Sequence, residues 1–233
     1  VAEPLQQFAA RDLCWNCQSE AGGEYFCDSC VKIQPVSSET DYFGCFGLPR
    51  ALDIDLADLE RRFYELSRKF HPDYFQKKSD TEKSISLENS AVLNTAYRTL
   101  RDPLLRAAYL IQLEEGAAKS IPTKAPSDLF EEILEIQEVL EEFKRSKASG
   151  GPGRADLRER LSAEKSGLES RMKQLDADLS ARFKEWDALL ERNDKTKKPA
   201  VLEGIKEILS NRSYLETVLE GIEKELSAES LNG

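Results

Sequence analysis

Apolar side chains in the C-terminal half recur at helical intervals, and this pattern limits the fold more than any other feature of the chain. Leu157, Leu161, Leu168, Met172, Leu175, Leu179, Phe183, Trp186 and Leu190 follow one another at steps of three, four and seven, a spacing that a helix lines up on one side. Leu202, Ile205, Leu209, Leu215, Leu219, Ile222 and Leu226 continue the pattern, and Leu129, Ile133, Ile136, Leu140 and Phe143 begin it. Two interruptions, Ser149-Gly150-Gly151-Pro152-Gly153 and Asn193 to Pro199, divide the stretch. The reading is a bundle of three helices in up-down-up order over residues 127–230. Asn211-Arg212-Ser213 is formally a glycosylation sequon, but it falls inside the last of these helices and not in a surface loop.

The N-terminal block follows different rules. Cys14-Trp15-Asn16-Cys17 and Cys27-Asp28-Ser29-Cys30 are two CxxC knuckles in close succession. Each such turn places two sulfurs on one side of a metal, so the pair suits a closed tetrahedral zinc site. The site would be structural, since four cysteines leave no open position. Gly22-Gly23 followed by Tyr25-Phe26 reads as a short hairpin between the knuckles. Residues 1–38 are too few to bury much core, so a metal would stabilise them by cross-linking. Two disulfides or a redox dithiol are the competing readings of the same cysteines. Cys45, the fifth, reads as a packed thiol.

Residues 41–113 form a third block, also helical. Leu56, Leu59, Phe63, Leu66 and Phe70 lie on one helix face behind Asp55, a candidate N-cap. The outer faces carry Arg61, Arg62, Arg68 and Lys69, with Lys77 and Lys78 beyond the helix end. A second helix is expected from about Ser86 to Arg101, stopped by Asp102-Pro103, which opens another. His71-Pro72-Asp73 ends the first helix and contains the only histidine of the chain. Proline terminates the helix and pulls the residue before it out of helical conformation, so this corner is stiff.

Several function classes can be set aside. A lone histidine, with no convergent nucleophile, no glycine-rich phosphate loop and no HExxH pattern, gives no catalytic constellation, and no catalytic residue is assigned. A formal net charge of -10 opposes nucleic-acid binding through the overall field. No apolar run approaches the roughly 20 residues that span a bilayer. Two readings of the corner remain: a helix-terminating turn whose histidine caps carbonyls, and a docking element, in which Asp73 is an acceptor-only carboxylate suited to an arginine, beside a basic helix suited to an acidic surface. In the bundle, Phe130 and Leu134 point about a quarter-turn from the core stripe, among Glu131, Glu135, Glu138 and Glu141. An apolar pair with an acidic rim reads as a partner surface, the alternative being a wide core stripe.

A resemblance ties these blocks together. The stretch from Asp41 to about Leu113 resembles a J-domain. More narrowly, Asp41-Tyr42-Phe43, Phe70-His71-Pro72-Asp73, Leu93-Asn94-Thr95-Ala96-Tyr97-Arg98-Thr99-Leu100 and Asp102-Pro103-Leu104-Leu105-Arg106-Ala107-Ala108-Tyr109-Leu110 resemble the HscB family of co-chaperones in iron–sulfur cluster biogenesis. The tetracysteine start is similar to the extension of mitochondrial members. The resemblance implies a non-enzymatic, mainly α protein with a zinc-binding tetracysteine hairpin module, a J-domain and a three-helix bundle. Its partners would be a DnaK-type chaperone ATPase, docked through His71, Pro72, Asp73, Arg61, Arg62, Arg68 and Lys69, and the cluster scaffold protein. The scaffold would meet Phe130, Leu134, Glu135 and Glu138, with Tyr214 as the family's aromatic from the last helix. Glu131 departs from the family pattern, standing where an apolar residue is expected. One structural zinc held by Cys14, Cys17, Cys27 and Cys30 is implied, together with a homodimer as a candidate assembly. The compartment implied is the mitochondrial matrix, with the cytoplasm as alternative; no transit segment is legible after Val1. A general J-protein delivering unfolded polypeptides is the second reading.

Overall fold

A computed structural model describes residues 13–20, 25–116, 121, 123, 125, 126, 129–149 and 153–230. Residues 1–12, the Gly22-Gly23 turn, Pro122 and residues 150–152 of the Gly/Pro link lie outside the described residues. Among those described, all regular structure is helical, apart from two isolated bridges, Leu13 with Glu20 and Phe26 with Ile33. None of the described helices is long and apolar enough to cross a membrane. The chain divides into two compact units. One comprises the described residues up to Arg50 with Ile54–Arg106, the other Ala51–Asp53 with the described residues from Ala107 onward.

In the first unit, α1 (Tyr42–Cys45) is a single turn capped by the Asp41 carboxylate. Helix α2 (Leu56–Phe70) starts as expected at Asp55, whose side chain accepts from the N–H groups of Ala57 and Asp58. Leu59 and Phe70 are fully buried, whereas Leu56, in the first turn, is about half exposed and leaves the stripe early. A 3-10 turn over Pro72–Phe75 follows. Helix α3 (Asp80–Arg101) begins six residues before the expected Ser86. The reason is a reciprocal cap: Ser79 accepts from the Glu82 N–H while the Glu82 carboxylate takes the Ser79 N–H. Phe63 of α2 stacks on Tyr97 of α3, with ring centroids 4.2 Å apart. Asp102 then caps α4 (Pro103–Glu115), whose residues from Ala107 onward belong to the second unit, through the Leu104 and Leu105 N–H groups.

The second unit holds three long helices: α5 (Phe130–Ser149), α6 (Arg154–Glu191) and α7 (Lys198–Ser230). Its core joins Ile133, Ile136 and Phe143 to Leu161, Leu168 and Leu175 and to Leu215 and Ile222. Val139 joins them, an apolar position that the α5 spacing did not single out. Near the end of α6 the buried residue is Leu189, and Leu190 is half-buried. The Asp187 carboxylate of α6 accepts from the backbone N–H of Leu52 and of Asp53, both at 2.8 Å. Lys206 of α7 pairs with Glu115 of α4 at 2.9 Å.

Candidate functional site

The corner is built by its neighbours in sequence. Phe70 and Phe75, on either side, are buried, which pins both ends of the segment between them. Pro72 fixes its own φ, and the side chains between the anchors are left outside: that of His71 is 51 % exposed and that of Asp73 71 %. The His71 Nδ1 accepts the Asp73 N–H at 3.3 Å, so the Nε2 edge is the ring's outward polar edge. Gln76 donates to the Asp73 carboxylate at 3.1 Å. The carbonyl of Phe70, one of the acceptors a helix end leaves over, takes the Ser86 hydroxyl at 2.6 Å and the Ser90 hydroxyl at 3.2 Å.

The four basic residues of α2 divide into two pairs. Arg61 is drawn to Asp58 and to Glu65, and Arg62 to Asp58 at 2.7 Å. The two guanidiniums, Arg61 first, hold the Asp58 carboxyl below the usual carboxylate range. Arg62 also donates to the Phe46 carbonyl at 2.7 Å, so it braces the turn after α1. Arg68 and Lys69 are exposed one turn before the corner, Arg68 bonded to its own helix at the Tyr64 carbonyl. Lys77 and Lys78 are exposed beyond it.

In the cysteine block each knuckle closes on itself. Leu13 bridges to Glu20 around the first, and Phe26 to Ile33 around the second. The residue after each second cysteine, Gln18 at φ 60° and Val31 at φ 57°, turns left-handed so that its N–H reaches the carbonyl of the first cysteine. The four sulfurs of Cys14, Cys17, Cys27 and Cys30 all lie within 4.8 Å of one another. Cys14 to Cys30 is 3.6 Å and Cys17 to Cys27 is 3.7 Å. Four thiolates about 2.3 Å from a central zinc-sized ion stand about 3.8 Å apart, so the set fits a tetrahedral ion. None of the described cysteines is in a disulfide. Ser19 Oγ is 2.9 Å from Cys17 Sγ, and its hydroxyl draws the Cys27 thiol down to about 6, while at Cys30 the backbone of Lys32 is outweighed by burial and the other three sulfurs, which push that thiol up to about 11. Burial also pushes the lone Cys45 thiol up to about 11, as expected of a packed side chain.

These knuckles are fastened to the helices of the same unit. Lys32 pairs at 3.0 Å with Glu82, which is 4 % exposed, and buried Asn89 donates to the Gln34 carbonyl while accepting the Val36 N–H. Nothing in the local sequence signals these contacts, because their partners stand 50 or more residues apart.

On α5, Phe130 and Leu134 are 55 % and 45 % exposed, set apart from the buried Ile133 and Ile136. Glu131, Glu135, Glu138 and Glu141 are exposed around and beyond them. Tyr214 of α7 is half-buried and packs against the bundle core.

No family model matches the chain. It is 39 % identical over 132 residues to the mouse "Iron-sulfur cluster co-chaperone protein HscB", covering 54 % of this chain and 56 % of the mouse protein. The Arabidopsis thaliana homologue is 38 % identical over 129 residues, covering 55 % of this chain and 51 % of its own length. The chain thus spans about half the length of these two relatives. With the human protein it shares 29 % identity over 218 residues, 90 % of this chain and 80 % of the human one. The crystal structure of human HscB superposes with a TM-score of 0.64 at 26 % identity, over 95 % of this chain and all of the other. HscB from Vibrio cholerae has the same fold, with a TM-score of 0.58 at 23 % identity over 82 % of this chain and 99 % of its own. From the cysteine knuckles to the last helix, this chain is similar in sequence and in fold to proteins named as HscB iron–sulfur cluster co-chaperones.

Proposed function

We propose that the chain is an adaptor in iron–sulfur cluster assembly, holding a cluster scaffold protein on its bundle and bringing it to a DnaK-type chaperone whose ATP hydrolysis it stimulates. The observation that carries this reading is the outward corner, where an imidazole and a carboxylate stand exposed between two buried phenylalanines. Such an arrangement presents groups to a partner; it does not enclose a substrate. Asp73 offers its carboxylate to an arginine of the chaperone, and Arg68 and Lys69 meet acidic groups beside it. Arg61 and Arg62, already engaged with Asp58, keep α2 and the α1 turn in place beneath that surface.

On the bundle, Phe130 and Leu134 supply the apolar centre of the scaffold contact, and Glu135 and Glu138 its rim. Tyr214, half-buried against the bundle core, contributes the aromatic of the last helix. Carrying client and ATPase contact on one chain turns the second encounter into a nearly intramolecular one. One structural zinc occupies the cysteine site, and the compartment is the mitochondrial matrix, consistent with the tetracysteine extension. The chain itself catalyses nothing in this scheme.

The test is ATP turnover by a DnaK-type chaperone, titrated with this protein with and without a cluster scaffold protein. Stimulation is expected with the native chain and a loss of at least tenfold with Asp73→Ala, a change at an exposed side chain that leaves the helical circular dichroism intact. Equal stimulation by the native and Asp73→Ala proteins overturns the reading. Phe130→Ala with Leu134→Ala should abolish scaffold capture while leaving scaffold-free stimulation unchanged. Undiminished capture, or capture of denatured polypeptides in place of the folded scaffold, removes the bundle from the scheme.

A further inference from the structure

Phe70 sits directly before the corner, and its ring is covered by a residue from the cysteine block. Tyr25 packs edge-on against it, with centroids 5.0 Å apart and planes at 76°. The Tyr25 hydroxyl donates to the Cys45 carbonyl at the end of α1. Tyr25 stands two residues before Cys27, a candidate metal ligand. The chain beyond the second knuckle is fastened to α3 through Lys32 with Glu82 and through Asn89 with Gln34 and Val36. The corner's upstream anchor is therefore closed on one side by the serines of α3 and on another by a residue of the cysteine block.

We propose that Tyr25 is a positioning residue for the His71-Pro72-Asp73 corner, and that it acts only while the four cysteines hold their metal. Each knuckle is closed by one bridge and a few backbone hydrogen bonds, among them the Gln34 N–H to the Tyr25 carbonyl at 2.9 Å, and segments this short do not keep their shape without a cross-link. Release of the metal frees the residues around Cys27, and Tyr25 with them. Phe70 then loses its aromatic cover while Phe75 keeps its place, so the corner pivots about one end. A partner that needs one orientation binds only the fraction of molecules that show it. The inference rests on the chaperone contact proposed above, but the movement of the corner can be observed without any chaperone.

His71 makes this direct, because the ring of the only histidine gives one set of imidazole signals in NMR spectra of the full chain. The spectra to compare are those of zinc-loaded native protein, chelator-stripped protein, and zinc-loaded Tyr25→Ala and Tyr25→Phe. Stripping and Tyr25→Ala should move the His71 ring signals and the Asp73 amide in the same direction, whereas Tyr25→Phe, which keeps the ring, stays near the native positions. With a DnaK-type chaperone, zinc-loaded Tyr25→Ala should need about fivefold more protein for half-maximal stimulation, as for a competent fraction reduced to about one fifth, with the maximum unchanged. Stripping that variant should add little. Unmoved His71 and Asp73 signals on stripping, with helical content intact, overturn the proposal. Should Tyr25→Ala fail to retain zinc, Phe70→Leu removes the same ring contact from the helix side, and native-like His71 signals in that variant overturn it equally. A native protein that never stimulates the ATPase sinks the functional reading alone, and the His71 signals still decide whether Tyr25 braces the corner.

Discussion

Val31 is a β-branched residue in a left-handed conformation, φ 57°, with three-quarters of its surface exposed. Left-handed backbone costs a residue with a Cβ about 1–2 kcal/mol, and the branched side chain recovers little of that here by packing. Val31→Gly should therefore stabilise the knuckle by about 1 kcal/mol, after allowing for glycine's larger unfolded-state entropy. Thermal unfolding of zinc-loaded native and variant proteins measures it, and an unchanged or lower midpoint counts against the strain. The same scale explains which site residues the sequence disclosed. A CxxC pair and a His-Pro-Asp corner are local, and their chemistry follows from neighbours within a few residues. Gln18 and Val31 in left-handed turns were not legible, because neither residue type announces that conformation as glycine would. The engagement of Arg61 and Arg62 carried a signal in their spacing from Asp58, three and four residues away on one helix face.

Glu82 joins two elements. Its carboxylate caps α3 and pairs with Lys32 of the second knuckle while nearly buried. Burial alone would raise its pKa, but the hydrogen bonds from Lys32 and Ser79 outweigh that and hold it below the usual glutamate value. A carboxyl whose folded pKa is lowered adds stability that is complete above its unfolded value, about 4.3, and disappears as the pH falls through the lowered one. Glu82→Gln should cost about 1–3 kcal/mol at pH 7 and flatten the loss of stability below pH ~4.5. Denaturant melts across the acid range check both parts. In α6, Gly167 is exposed with open space where a Cβ would stand, so Gly167→Ala should stabilise the helix by about 0.5–1 kcal/mol, read from the same melts. Element limits were mostly legible, since Asp55, Asp102 and Pro103 are strong punctuation. The early start of α3 was carried by Ser79 and Glu82, a capping box that sits ahead of any apolar repeat.

At the scale of the molecule, the bundle's core could be read from periodicity because each helix lays its stripe on its neighbours. How the cysteine block packs on α2 and α3 could not be read, since Tyr25 with Phe70 and Asn89 with Gln34 pair across long stretches of chain that no periodic signal spans. Chelation should accordingly act unevenly: hydrogen exchange should quicken over residues 25–45 and the start of α3 while the centres of α6 and α7 keep their protection. Uniform quickening, or none, contradicts the assignment of the knuckles to the first unit. Each bridge closes only a short stretch, within 13–20 or within 26–33, and leaves the longer loop between the two pairs of sulfurs for the ion to close. Loading and shaping of this block are then a single event, so a chelator should undo both together, and the affinity for the ion carries the cost of ordering the chain around it.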